Sequence, residues 1–338
     1  MRIISIFVAV SLSLAACLQP NQSTSSDQPA SPEAASPTTP ETPASPSASK
    51  TAAPPTYQSK AFSNYWYAGL AELTGYQLSQ SRYGEMHEGE AVLVFVTEPF
   101  SASEQVKLDN PQAAGEDKVN VLKLNLTKKF LTGIYPYSLM SSVFTPVQVK
   151  DRPYSLKVST TSQEWCGHTY TQLNWEGPDY RVSGYSYFES EGDTEQEVKP
   201  DLLEDELWTR LRLDPGSIPT GEVQMLPSTM YIRLLHQPFA PQRALISRGD
   251  TTLAGDEAAY LRVYYPDHER ELIIYYEASF PHAIMGWDEA YDAPARTGTS
   301  GALKTTARRS GTLKSPYWQQ HLNRHRNLRR ELGLSTSH

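Results

Sequence analysis

The segment Gln163-Glu164-Trp165-Cys166-Gly167-His168-Thr169-Tyr170-Thr171-Gln172-Leu173-Asn174 gathers a carboxylate, an indole, a thiol and an imidazole between Glu164 and His168. Read as one extended strand with period two, Glu164, Cys166, His168 and Tyr170 share a face, and Gln163, Trp165, Gly167 and Thr169 share the other. Cys166 and His168 then lie about 7 Å apart at ~3.3 Å per residue. Such a pair can give two zinc ligands, or a thiolate with an imidazole base that Glu164 orients. Two ligands do not make a metal site, and the sequence does not place His87, His236, His268 or His282 as a third. The plainer reading is a Cys packed as a small hydrophobe beside a hydrogen-bonded His. On that reading Trp165 faces the core, and Trp165→Ala costs about 3–5 kcal/mol while Cys166→Ala costs much less. Cys166, His168 and Glu164 are therefore the candidate catalytic set, and Cys166 and His168 the candidate metal ligands. No Walker loop, dinucleotide fingerprint, His-Glu-x-x-His or Gly-x-Ser-x-Gly elbow accompanies them, so no cofactor is expected.

The elements around this stretch read as antiparallel strands. Residues 90–97 are β-branched and apolar on both faces, which suits a central strand. Residues 120–127 put Leu122, Leu124 and Leu126 on one face, and residues 154–159 alternate throughout. A turn at 175–179 leads to a strand at 180–188, and residues 260–265 and 271–276 flank a hairpin loop at 266–270. One helix interrupts the strands. Pro200 fits its first position, Asp201, Glu204, Asp205 and Glu206 complement the dipole at its start, and Arg210 and Arg212 do so at its end. Leu203, Leu207, Trp208 and Leu211 form its apolar stripe, and Asp214-Pro215-Gly216 stops it. Five alternate acidic residues, Glu189, Glu191, Asp193, Glu195 and Glu197, read as a solvated hairpin tip, since EF-hand spacing is absent. The expected fold is mainly β: a large curved antiparallel sheet, half-barrel or sandwich, with one inserted amphipathic helix and a C-terminal helix. Tyr and Trp in the strands pack the sheet or line a concave face for an apolar or glycan ligand.

Arg2 precedes an apolar stretch from Ile3 to Leu14, too short to span a bilayer. It ends in Leu14-Ala15-Ala16-Cys17, which resembles a bacterial lipobox. The resemblance implies a signal peptide over 1–16, cleavage before Cys17, and lipidation of that residue. Several acyl chains at ~0.8 kcal/mol per buried CH₂ make a firm anchor. Leu18 is not the Asp associated with inner-membrane retention, so the expected address is the outer membrane, facing the periplasm. With Cys17 acylated, Cys166 has no disulfide partner. Residues 17–56 form a Ser/Pro/Thr-rich tether whose upper reach is on the order of 120 Å.

The body over 57–302 carries 20 Lys and Arg against 34 Asp and Glu, a net of −14. Residues 303–338 carry eight against Glu331, a net of +7. This basic tail reads as a helix capped by Ser315, with Pro316 first and Tyr317, Trp318, His321, Leu322, His325 and Leu328 on one face. Either a membrane surface or the acidic body itself suits its charge. The envelope address argues against nucleic acid.

The motifs Trp66-Tyr67, Arg82-Tyr83-Gly84-Glu85, Lys123-Leu124-Asn125, Lys128-Lys129-Phe130, Thr132 to Ser138 and Gln163 to His168 carry a family likeness. So do Leu207-Trp208-Thr209 and Pro219-Thr220-Gly221. The chain resembles a family of bacterial envelope lipoproteins of unknown function, typical of Bacteroidota, some of which bear the label "septum formation inhibitor Maf". Genuine Maf proteins are cytoplasmic nucleotide pyrophosphatases with a Ser-x-Ser-Pro-Arg-Arg loop. That loop is absent here, and Ala307-Arg308-Arg309 does not replace it. The resemblance implies no catalytic residues. The sequence thus points to a non-enzymatic binding or assembly module of the envelope, with membrane attachment through the anchor and an envelope protein, lipid or glycan as partner. The alternative is a small hydrolase or metal enzyme centred on Cys166 and His168.

Overall fold

Long runs of alternating side chains build fifteen strands into one sheet. The computed structural model describes residues 59–149, 151–291 and 303–336. The leader over 1–16, Cys17 and the tether over 17–56 lie outside the described residues. The strands are β1 (Ala71–Arg82), β2 (Glu85–Ser101), β3 (Lys118–Thr132), β4 (Tyr135–Pro146), β5 (Lys157–Glu164), β6 (Gly167–Trp175), β7 (Tyr180–Ser186) and β8 (Thr194–Val198). The second run is β9 (Leu202–Leu203), β10 (Gly221–Leu226), β11 (Gln242–Leu253), β12 (Asp256–Tyr265), β13 (Arg270–Tyr276), β14 (Ile284–Ala290) and β15 (Lys304–Ser315). Helices α1 (Lys60–Trp66), α2 (Leu207–Leu213), α3 (Thr229–Leu235) and the one-turn α4 (Leu328–Glu331) complete the fold.

Two antiparallel meanders, β1 to β8 and β10 to β15, join where β15 pairs with β1. Every pairing is antiparallel except that of β9 with β10. The sheet's two edges, β8 and β9, are consecutive in the chain and separated only by residues 199–201. Such a short link brings the edges together, so the sheet curls into an open barrel with one unpaired seam. Gln196 of β8 reaches across and donates to the Phe239 carbonyl at 2.7 Å.

The expected mainly β architecture is the observed one, and its leucine stripes behave as read. Leu122, Leu124 and Leu126 are buried in β3, as are Ala91, Leu93 and Phe95 in β2. The helical content differs. The single inserted helix is joined by two more: α1 buries Phe62 and Trp66 and exposes its other face, and α3 starts at Ser228, whose side chain accepts from the Met230 N–H. The expected start at Pro200 is also displaced. Leu202 and Leu203 pair with Met225 and Leu226, and Glu204–Glu206 is a single 3₁₀ turn ahead of α2. All seven residues of α2 are buried, so it has no solvent face. Its charges do not tune a dipole; they hold the interior together. Glu204 receives both terminal nitrogens of Arg270, at 2.5 and 2.6 Å, and the Tyr265 hydroxyl at 2.5 Å. Arg270 also reaches Glu289 at 2.7 Å. Arg212 meets Glu72 in a two-pronged pair at 2.5 and 2.6 Å, with its guanidinium over Trp66 and Phe95. Asp205 accepts from Ser228 and twice from Thr229, which ties the turn before α2 to the start of α3.

The basic tail is not a separate helical appendage, and the division at 302/303 does not separate two bodies. Its first twelve described strand residues are β15, which joins the two meanders. Ser315 ends that strand and bonds Gln320, so it does not cap a helix. Beyond it come 3₁₀ turns at Tyr317–Gln319 and Asn323–Asn327, and then the four residues of α4. The tail packs on its own body. Gly75 and Gly311 face each other across β1 and β15, and a Cβ on either would stand about 2 Å from a tail carbonyl oxygen. Those two glycines make room for Leu332 and Leu334, both buried, and Arg329 pairs with Glu90 at 3.0 Å. Close packing on the two glycines and this ion pair hold the segment.

Candidate functional site

The chemistry-bearing stretch is a hairpin, not one strand. Glu164 pairs with Gly167 and Gln163 with His168, which leaves Trp165 and Cys166 as a two-residue turn between β5 and β6. Glu164 shapes that turn: its carboxylate accepts the Cys166 N–H at 2.6 Å. The reading of Glu164, Cys166 and His168 as one strand face is therefore corrected, and so is the burial of Trp165, which is 69% exposed. Cys166 is exposed, and Glu164, by hydrogen bond and by charge, pushes its thiol pKa up. A thiol moved in that direction is a poorer nucleophile and ligand at neutral pH. Among the described residues no three His, Cys, Asp or Glu side chains gather as metal ligands.

Four hairpin tips crowd this end of the barrel. Tyr83-Gly84 joins β1 to β2 with both residues in the left-handed region, as a tight two-residue turn between twisted strands requires. Gly133-Ile134 joins β3 to β4, Trp165-Cys166 joins β5 to β6, and residues 187–193 join β7 to β8. Their aromatic side chains touch in series. The Tyr83 and Tyr137 hydroxyls are 2.6 Å apart, Tyr135 reaches Tyr83 at 3.4 Å, and the Tyr135 and Trp165 rings are centred 6.3 Å apart. Tyr187 lies over Gly167, where a Cβ would strike its ring at 2.7 Å.

At the same end a cavity of about 320 Å³ opens between the inner face of β6 to β8 and the C-terminus of α3. Glu191, Arg233 and His236 stand on its wall. Each has a structural reason to be there. Arg233 is in the last turn of α3, and His236 follows in the left-handed conformation that ends the helix. Glu191 sits in the β7–β8 loop, where Gly192 takes a positive φ. Glu191 Oε1 accepts from His236 Nδ1, and from Arg233 at 3.2 Å, while Oε2 accepts from the Ser186 hydroxyl at 2.5 Å. Arg233 Nε donates to Thr169 at 2.9 Å, and its guanidinium lies 4.6 Å from the centre of the Phe188 ring. Phe188 in turn meets the His236 ring edge-on at 5.2 Å. Burial pushes the Glu191 carboxyl up, but the bonds from Ser186 and His236 and the charge of Arg233 outweigh it and hold it below the usual carboxylate range. The carboxylate is thus ionised at neutral pH and balanced by Arg233. Hydroxyl and amide side chains, among them Thr171, Ser190, Thr194 and Gln237, line the rest with Tyr185 and Phe239.

No protein-family model matches the chain, and no curated protein does. Among solved structures it is similar to a beta-barrel-like protein of a domain of unknown function, DUF1849, from Brucella abortus, at 6% identity and a TM-score of 0.42. The similarity covers 72% of this chain and 97% of that one.

The structure thus separates the residues singled out from sequence from those that form the cavity. Cys166 and His168 lie on the β5–β6 hairpin, whereas the cavity is built from Glu191, Arg233 and His236. In sequence Glu191 belongs to a solvated acidic tip, and His236 is a histidine that no motif places. Their 45-residue separation leaves no local motif. The usable signal was a Ser228-capped apolar helix ending in Arg233-x-x-His236.

Proposed function

We propose that this chain is a non-enzymatic binding module of the bacterial envelope, lipid-anchored at Cys17 on the periplasmic side of the outer membrane. Its ligand is an uncharged polyhydroxyl group such as the end of a glycan. The observation that carries this reading is the Glu191–Arg233–His236 cluster on the wall of a cavity of about 320 Å³. A fixed, ionised carboxylate accepts hydroxyl donors, a neighbouring guanidinium and imidazole donate, and aromatic faces stack on the apolar side of a sugar ring. The mutual balance of Glu191 and Arg233 favours a neutral ligand over a charged one. The volume lies at the lower end of the range for ligand pockets, which suits one or two sugar rings. The alternative centred on Cys166 and His168 draws less support, because its thiol is exposed and shifted away from the thiolate.

Calorimetric titration with neutral mono- and disaccharides tests the reading. At least one sugar should bind with a Kd on the order of millimolar or tighter, and Glu191→Ala should weaken it tenfold or more, about 1.4 kcal/mol. A panel that gives no heat, or binding unchanged by Glu191→Ala, contradicts it.

A further inference from the structure

The hairpin tips at the cavity end expose side chains that a water-facing turn does not need. Ile134 is 80% exposed, Trp165 69% and Tyr187 68%, and Leu131 and Tyr83 are exposed beside them. These are not isolated residues. The tyrosine hydroxyls bond one another, and the Trp165 and Tyr187 rings continue the same band through contacts with Tyr135 and Gly167. The turn between β6 and β7, at the other end of the same strands, is Glu176-Gly177-Pro178-Asp179.

We infer that this band of hairpin tips docks on the polar–apolar interface of a zwitterionic membrane. Tyr and Trp rings are amphipathic and favour the headgroup level, where an apolar body and a polar edge are both satisfied. Ile134 in the β3–β4 turn and Leu131 beside it supply purely apolar surface. Charge identifies the kind of surface. The segments at these turns carry Arg82 and Lys129 against Glu85, Glu88 and Glu189, so the band has mixed signs and no basic run to favour anionic lipid. The occupant is further indicated by the length of chain outside the described residues: 41 residues separate Cys17 from Ser59, enough chain to let the hairpin-tip end meet the membrane that holds the anchor. That last point rests on the anchoring proposed above.

Docking is read without the anchor. The mature chain from residue 17, made with Cys17→Ser, is mixed with phosphatidylcholine vesicles and floated on a density gradient. The protein should float with the vesicles equally at low and high salt, with a blue shift in tryptophan emission. The Ile134→Ser, Trp165→Ser variant should lose tenfold or more of this partition and the blue shift, with an unchanged melting temperature. Failure of the Cys17→Ser chain to float overturns the inference, as does flotation unaffected by the double variant, or flotation only on anionic vesicles and reversed by salt. Sugar binding measured without vesicles stays independent of all three outcomes, and membrane partition of the lipidated chain in its host tests the anchor separately.

Discussion

The interior of this barrel holds charge, and one of its ends exposes aromatic and aliphatic side chains. Glu72, Glu204, Arg212 and Arg270 are at most 1% exposed, whereas Trp165 and Ile134 lie in solvent. The usual sorting is reversed in both places, for different reasons. Helices α2 and α3, packed inside the sheet, bring backbone ends and polar turns into a buried space, and those groups need partners. The paired carboxylates and guanidinia supply them, and they fix where the turn before α2 stands relative to β1, β12 and β13. The hairpin tips face no such demand. Their large apolar residues stay exposed, and the docking inferred above accounts for them.

The largest effect expected from breaking this arrangement is inside. Arg270→Leu leaves Glu204 and Glu289 buried without their main cation, and should cost about 3–5 kcal/mol in urea unfolding. A loss below 1 kcal/mol would mean that water reaches the cluster. A second test sharpens the electrostatic account. Burial pushes the Asp205 carboxyl up to about 6 against the hydrogen bonds it accepts from Thr229 and Ser228. The folded protein therefore holds this proton more tightly than the unfolded chain does. The stabilisation is complete below the ordinary value of 3.8 and is lost as pH rises through about 6. Relative to Asp205→Asn, the wild type should lose on the order of 3 kcal/mol between pH 4 and pH 7. A pH-independent difference between the two would contradict the buried, upward-shifted carboxyl.

The smallest effect is at the rim. Trp165→Ala should change unfolding free energy by no more than about 0.5 kcal/mol, because the side chain fills no cavity. This is far from the 3–5 kcal/mol expected of a core tryptophan, and it shows where sequence reasoning ran out. Leu122, Leu124 and Leu126 announced a strand because alternation has one structural meaning when it is long. The 260–276 hairpin was legible for the same reason. Trp165-Cys166 has neither Gly nor Asn to mark a two-residue turn, so strand alternation was carried through it. The acidic run before α2 matches a helix dipole in type and position, but its partners Arg270, Thr229 and Ser155 are brought together only by the curled sheet. The basic tail was read by net charge, whereas Gly75 and Gly311, distant in sequence, decide where it packs. The cavity was hidden by the same long-range closure.

The central claim is that Glu191, Arg233 and His236 form a ligand site. Amide chemical-shift mapping during titration with the sugar that gives the largest calorimetric heat tests it most directly. The account predicts perturbations concentrated at Thr169, Gly184, Gly192, Arg233 and His236, and none at Cys166 or His168. Shifts confined to the Cys166–His168 hairpin, or spread evenly over the strands, would contradict it.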